Sequence, residues 1–266
     1  MSVICPELQY MKNTIKHLML LLTLATGSIS GLAQEQSVFT AKQGYLIDVN
    51  YNIQSPAGNL ANRFGWNSAL GFGTRYKFES GWMIGAQYSW MFGNNVLDSN
   101  LFSGILGPSN VIIDKDGFPS EVRLNQRGHA GTINGGRLFP MLKNNENSGI
   151  YIEAGVGFLM HRIDIFASTV TVPQITGEYE KGYDKLTGGL SFSQFVGYQH
   201  LDPKKQVNFQ VGFSFQQAFT QSMRSIDFDT RAYDATKRKD YLSGFRIGIT
   251  VPVYTKRPDE EQYFID

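Results

Sequence analysis

Alternation with period two, repeated in eight separate segments, is the feature that most restricts what this chain can become. In the first segment Tyr45, Ile47, Val49, Tyr51 and Ile53 alternate with Asp48, Asn50, Asn52 and Gln54. Successive side chains of a strand point to opposite faces, so such a segment has one apolar and one strongly polar face. The second sets Trp66, Leu70, Phe72, Tyr76 and Phe78 against Asn67, Ala69, Gly71, Gly73, Arg75 and Lys77. The third sets Trp82, Ile84, Ala86, Tyr88, Trp90 and Phe92 against Met83, Gly85, Gln87, Ser89 and Met91. Four later segments, beginning near Ile150, Leu190, Val207 and Tyr241, repeat the pattern. The fourth segment, Arg127 to Phe139, is the weakest. It sets Ala130, Thr132 and Leu138 against Arg127, His129, Gly131, Gly135 and Arg137.

Segments of about 10–13 residues match the tilted strand that crosses a bilayer. In lipid every backbone polar group must find a partner, which forces such strands to close on themselves. The expected fold is therefore all-β: a closed antiparallel transmembrane β-barrel of about eight strands with long extracellular loops. Connections alternate in length. Glu79-Ser80-Gly81 and residues 200–206 are short, residues 139–148 moderate, and residues 93–126, 163–185 and 218–240 long. Long connections at one end and short ones at the other are the asymmetry of an outer-membrane barrel. The alternative is a secreted β-sandwich or lipocalin-like soluble barrel, which would carry its apolar residues inside. The polar face here is mostly Gly, Ser, Asn and Gln, which suits a narrow lumen better than a solvated surface.

The ends of the chain read differently. Met11-Lys12-Asn13-Thr14-Ile15-Lys16-His17 is a basic stretch, Leu18 to Thr26 is apolar, and Gly31-Leu32-Ala33 places small residues before a cut ahead of Gln34. This is the pattern of a secretory signal peptide. Residues 1–33 are assigned to it, with Met11 the expected initiator, residues 34–255 to the barrel and residues 256–266 to a periplasmic tail. The apolar stretch is too short for a transmembrane helix. The sole cysteine, Cys5, precedes the cut, so thiol chemistry is not expected in the mature chain. The formal charge is +1, and the one dense basic run, Lys237-Arg238-Lys239, is flanked by Asp234 and Asp240. No nucleic-acid footprint is present.

The signal peptide, the Gly71–Gly73 and Gly155–Gly157 glycine pairs within strands, and the aromatic alternation together resemble the small OmpA-like and PorT-like outer-membrane β-barrel domains. The resemblance spans residues 40–255. Arg63-Phe64-Gly65, Val172-Pro173-Gln174, Gly177-Glu178-Tyr179 and Lys181-Gly182-Tyr183-Asp184 look like loop elements of that family. It implies a membrane anchor, an adhesion or assembly factor, or a secretion accessory. No peptidoglycan-binding domain follows the last strand, so a wall-tethering role is not implied.

The inward ionisable set is Asp48, Arg75, Lys77, Arg127, His129, Arg137, Glu153 and Arg246. An eight-stranded barrel is just wide enough for side chains to fill it, and charges there must be paired. A lumen charge network of Asp48, Arg75, Lys77, Arg127, Arg137, Glu153 and Arg246 is expected, with Asp48 and Glu153 pairing to Arg75, Arg137 or Arg246. Tyr45, Trp66, Phe78, Trp82, Phe92, Tyr198 and Tyr241 lie toward strand ends and form the expected aromatic girdles. His129, His161 and His200 stand in no Ser-x-His or His-x-Ser spacing, so no catalytic residues are assigned. Asp114-Lys115-Asp116-Gly117 has alternate carboxylates but lacks the remaining ligands of a calcium loop, and it reads as a turn between two short strands; no metal or cofactor is expected. Residues 97–106 read as a short amphipathic helix.

The expected function is a non-enzymatic structural or interaction role in the outer membrane of a Gram-negative bacterium. Outer-membrane lipid is one partner, and proteins would be met through the extracellular loops or the C-terminal tail. The alternatives are a narrow channel or transporter for small solutes and a lipid-modifying enzyme.

Overall fold

The computed structural model describes residues 43–98, 100–107, 111–143, 145–167, 172–202 and 207–254. The signal peptide and the C-terminal tail read from the sequence lie outside these residues.

Eight long strands close into a ring: β1 (Gly44–Gly58), β2 (Asn67–Lys77), β3 (Trp82–Gly93), β6 (Val122–Leu142), β7 (Asn145–Ala167), β8 (Thr187–His200), β9 (Phe209–Ser222) and β10 (Arg238–Tyr254). Two short strands, β4 (Ile112–Ile113) and β5 (Pro119–Ser120), pair with each other in the β3–β6 connection. Every barrel strand pairs antiparallel with its neighbours in chain order, and β1 pairs with β10 to close the sheet. All long connections leave from one end. Among the described residues no helix is long and apolar enough to cross a membrane.

The alternation read from the sequence sorts the side chains. Ile47, Val49, Ile53, Phe72, Ile84, Ile152, Val196, Phe213, Ile247 and Ile249 stand exposed on the outer wall, while Asp48, Asn50, Asn52, Gln54, Gln210 and Thr250 are buried inside. An apolar wall of this extent far exceeds what a soluble surface carries, and it is the surface a bilayer requires. β6 and β7 are 21 and 23 residues long, about twice a bilayer-crossing strand. Their far ends project as a ribbon on the long-loop side. They also run on to Leu142 and restart at Asn145, so the connection expected over residues 139–148 shrinks to a tight turn.

The face of the fourth segment is corrected. Arg127, His129 and Arg137 point outward, and Gln126, Ala130, Asn134 and Leu138 point in. Register supplies the reason. Arg127 lies opposite Phe92, His129 opposite Trp90 and Arg137 opposite Trp82, and directly opposed residues share a face. The glycines at 128, 131, 135 and 136 leave this strand without apolar contrast, so its phase comes from its neighbours, and a slip of one residue flips every side chain.

Residues 100–105 form successive turns rather than the expected helix, with Ser103 N–H bonded to the Asn100 carbonyl and Ile105 N–H to that of Phe102. A run this short containing Gly104 cannot nucleate a helix on its own.

Candidate functional site: the sealed lumen and its outer cap

The lumen is built in three layers. In the middle layer Arg75 donates through Nε and Nη2 to the two oxygens of Asp48, at 2.6 and 2.7 Å. Thr250 Oγ1 donates to the same carboxylate at 2.6 Å, and Arg75 Nη1 reaches Gln199 Oε1 at 3.1 Å. The Arg75 guanidinium lies 4.8 Å above the Tyr151 ring, whose hydroxyl donates to Glu153 at 2.8 Å. Glu153 faces Arg246 at 3.5 Å, and Arg246 sits 4.7 Å over Phe195 while donating to Asn52. One connected network thus joins β1, β2, β7, β8 and β10 across the barrel. Fork-to-carboxylate pairing satisfies both partners of the Asp48–Arg75 pair, which a buried ion pair needs if it is not to cost stability.

Of the residues expected in the network, Asp48, Arg75, Glu153 and Arg246 meet in this layer. Lys77 is also inside but lies nearer the short-turn end, bonded to Asn147 at 2.8 Å. Arg127 and Arg137 do not belong to it. Arg137 lies over the rings of Trp82 and Phe139 on the outer wall, at 5.4 and 5.3 Å, and Arg127 faces Asp164 at 3.8 Å.

Apolar layers lie on both sides of this network. Toward the short turns, Leu46, Met83, Leu138, Tyr151, Phe195 and Leu201 form one buried cluster. Toward the long loops, inward Ala69, Met91, Ala130, Leu159 and Leu242 meet Leu60 and Phe64, which the β1–β2 connection folds down into the mouth. The cavity left among Asn52, Gln54, Gln87, Ser193, Ser214 and Arg246 is about 30 Å³.

Above the mouth the described parts of the long connections pack into a cap. Leu101, Ile112, Val172, Ile175 and Tyr183 join the same apolar cluster as Phe64. Phe102, Tyr183 and Phe228 pack ring to ring at 5.5–5.6 Å. Ion pairs tie the loops to one another. Lys185 reaches Asp227 at 2.6 Å and Asp229 at 2.5 Å, Arg224 forks onto Asp184, and Asp234 binds Arg238 closely and Arg63 at 3.8 Å. Burial pushes the Asp234 carboxyl up, but hydrogen bonds from Arg238 and Thr236 outweigh it and hold the group down at about 2. Sequence reasoning missed the pairs of Lys185, Arg224 and Arg63 because they join loops distant in the chain, whereas Asp234 and Arg238 lie in one connection. The one signal available was the mixture of isolated charges with apolar residues in connections too long for simple turns.

The histidines are accounted for structurally. His161 is inside the lumen, not at an open rim; its Nε2 lies 3.0 Å from Asp240, and its ring meets Phe64 edge-on. Thr220 Oγ1 donates to that same Asp240 oxygen and not to the imidazole, so no activated nucleophile results. Ser148 approaches His200 at 3.2 Å across β7 and β8, a pairing invisible in sequence spacing. Its hydroxyl is fully buried and also bonded to Asn145 and to both backbone groups of Leu201. His129 contacts the Tyr88 hydroxyl on the outer wall at 2.5 Å. In the loop hairpin, Asp114 Oδ1 accepts the backbone N–H groups of Asp116 and Phe118, so this carboxylate closes a turn. Among the described residues no three His, Cys, Asp or Glu side chains are grouped to hold a metal.

The expected girdle residues divide between the two ends. Tyr45, Phe78, Trp82 and Tyr198 lie toward the short turns, and Trp66, Phe92 and Tyr241 toward the long loops. Tyr45, Trp66, Phe78, Trp82 and Tyr241 are exposed, whereas Phe92 and Tyr198 are half-buried among neighbouring side chains. Tyr45, Tyr76 and Phe78 stack edge-to-face in series at 5.0 and 4.9 Å.

No protein-family model matches the chain, and no curated protein does. Among solved structures the chain is similar to Neisserial surface protein A, at 8% identity over 79% of this chain and 97% of the other, with a TM-score of 0.43. It is also similar to the attachment invasion locus protein of Yersinia pestis, at 9% identity over 79% and 99%, with a TM-score of 0.39.

Proposed function

We propose that this protein is a non-enzymatic integral outer-membrane barrel, exported by the N-terminal signal segment, whose wall holds a rigid extracellular cap for contact with partners. The OmpA-like and PorT-like resemblance belongs to this reading, as does a Gram-negative setting. The observation that carries it is the sealed lumen. A paired charge layer between two apolar layers leaves no room for solute passage, so what the barrel offers to its surroundings is its wall and its cap. The cap presents Phe118, Tyr179 and Tyr233 to solvent, each more than half exposed. Exposed aromatics on an ordered surface are the residues that anchor protein contacts. The closed lumen speaks against a narrow channel, and the saturated Ser148 and inverted Thr220–Asp240–His161 arrangement speak against a lipid-modifying enzyme.

Planar-bilayer recording of the purified barrel tests the reading. Reconstituted protein with heat-modifiable migration on gels is expected to give no conductance steps above the bare bilayer. Reproducible unitary steps would establish the channel and overturn the sealed lumen.

A further inference from the structure

On the outer wall at the long-loop end, β7 to β10 enclose a recess of about 560 Å³. It is lined by Phe158, Gly188, Phe219 and Met223 and by Lys237 and Lys239. Gly188 faces outward, since it lies two residues before the exposed Leu190 on β8. Gly188 is itself buried, and a Cβ there would come within 2.7 Å of Met223 Sδ and 2.9 Å of Phe158 Cζ, so these two side chains close over it and a larger residue would displace them. Lys239 is the direct cross-strand partner of Phe219 and shares its outward face. The basic run at residues 237–239, which reads in sequence as a solvated loop flanked by Asp234 and Asp240, is divided by the fold. Arg238 is taken up by Asp234, and Asp240 turns inward to His161 and Thr220. Lys237 and Lys239 stay exposed, and neither enters an ion pair among the described residues.

An apolar trough continuous with the outer wall, flanked by two ammonium groups that no carboxylate pairs among the described residues, complements one occupant. We propose that the recess binds an outer-leaflet lipid with a phosphorylated headgroup, its acyl chain lying along Phe158, Phe219 and Met223 and its phosphate meeting Lys237 and Lys239. This rests on the membrane reading above. Lys is a point-charge phosphate binder, and cations at a membrane surface each add appreciably to anionic-lipid affinity.

Native mass spectrometry of the detergent-purified barrel tests it, with three probes: bisphosphorylated lipid A, the same lipid with both phosphates removed, and inorganic phosphate. The wild-type protein is expected to retain one bisphosphorylated lipid in preference to its dephosphorylated form. Lys237→Gln with Lys239→Gln is expected to lower that retention at least about tenfold, two surface cations being lost. Gly188→Leu is expected to lower retention of both lipids by displacing Phe158 and Met223 from the sides of the trough. Equal retention of the two lipids, or retention unchanged in the double lysine variant, overturns the proposal. Displacement of the lipid by millimolar inorganic phosphate overturns it in favour of a soluble-anion site. Insertion into phosphatidylcholine vesicles is scored separately. A wild-type chain that does not insert refutes the membrane reading, whereas one that inserts without lipid preference refutes the recess alone.

Discussion

Asp48 is the position at which the lumen architecture can be measured. Its carboxylate accepts three hydrogen bonds of 2.6–2.7 Å, two from Arg75 and one from Thr250, and both ends of the ion pair are about 5% exposed. Asp48→Asn preserves shape but turns one acceptor into a donor facing the guanidinium. Losing one charge-assisted hydrogen bond costs about 1.5–3 kcal/mol. Stranding the buried Arg75 cation raises the expected loss to about 3–5 kcal/mol, because the Gln199 oxygen and the Tyr151 face that remain to it carry no charge. Asp48→Leu with Arg75→Met removes both charges and is expected to lie within about 1 kcal/mol of the parent, or above it. The assay is urea unfolding of the barrel in lipid vesicles, followed by fluorescence of Trp66, Trp82 and Trp90. All three stand on the outer wall, so their emission reports loss of the lipid-facing surface. A loss below about 1 kcal/mol for Asp48→Asn would mean that solvent reaches the pair and screens it, and the sealed lumen would then be refuted.

Two further outcomes concern the cap. A Cβ at Gly182 would lie 2.2–2.5 Å from the Phe228 ring, so Gly182→Leu must push Phe228 out of its packing with Tyr183. Overpacking of this kind costs about 1–3 kcal/mol, and limited trypsin digestion should cut at Lys181, Lys185 or Arg231 much faster while barrel migration on gels is unchanged; equal cutting rates would show that the cap does not depend on this contact. The folded Asp234 carboxyl is held at about 2, below the ordinary carboxylate range of about 4. A depressed carboxyl stabilises the folded form above its unfolded pKa and loses that contribution as pH falls toward the folded value. The stability difference between the parent and Asp234→Asn should therefore be constant from pH 7 to 5 and vanish between about pH 4 and pH 2. A difference that instead disappears between pH 7 and 5 would show that another group governs the loop.

The strands, their number and most of their faces follow from local pattern alone. A side chain's face depends only on its parity along an extended backbone, and seven segments carry enough contrast between apolar and polar positions to declare that parity. The inward placement of Asp48, Arg75, Glu153 and Arg246 is legible for the same reason. Segment four shows the limit of that logic. Its glycines carry no contrast, and only pairing to Trp82, Trp90 and Phe92 on β3 sends Arg127, His129 and Arg137 outward. The identity of each ion pair, the Phe64 plug, the Ser148–His200 contact and the division of residues 237–239 were beyond sequence reading, because each depends on which distant segments the closed ring brings level. Periodicity determined that this chain is a barrel with a polar inside and an apolar outside. Register and loop packing, which are long-range, decided which side chains fill that inside and how the long connections close over its mouth.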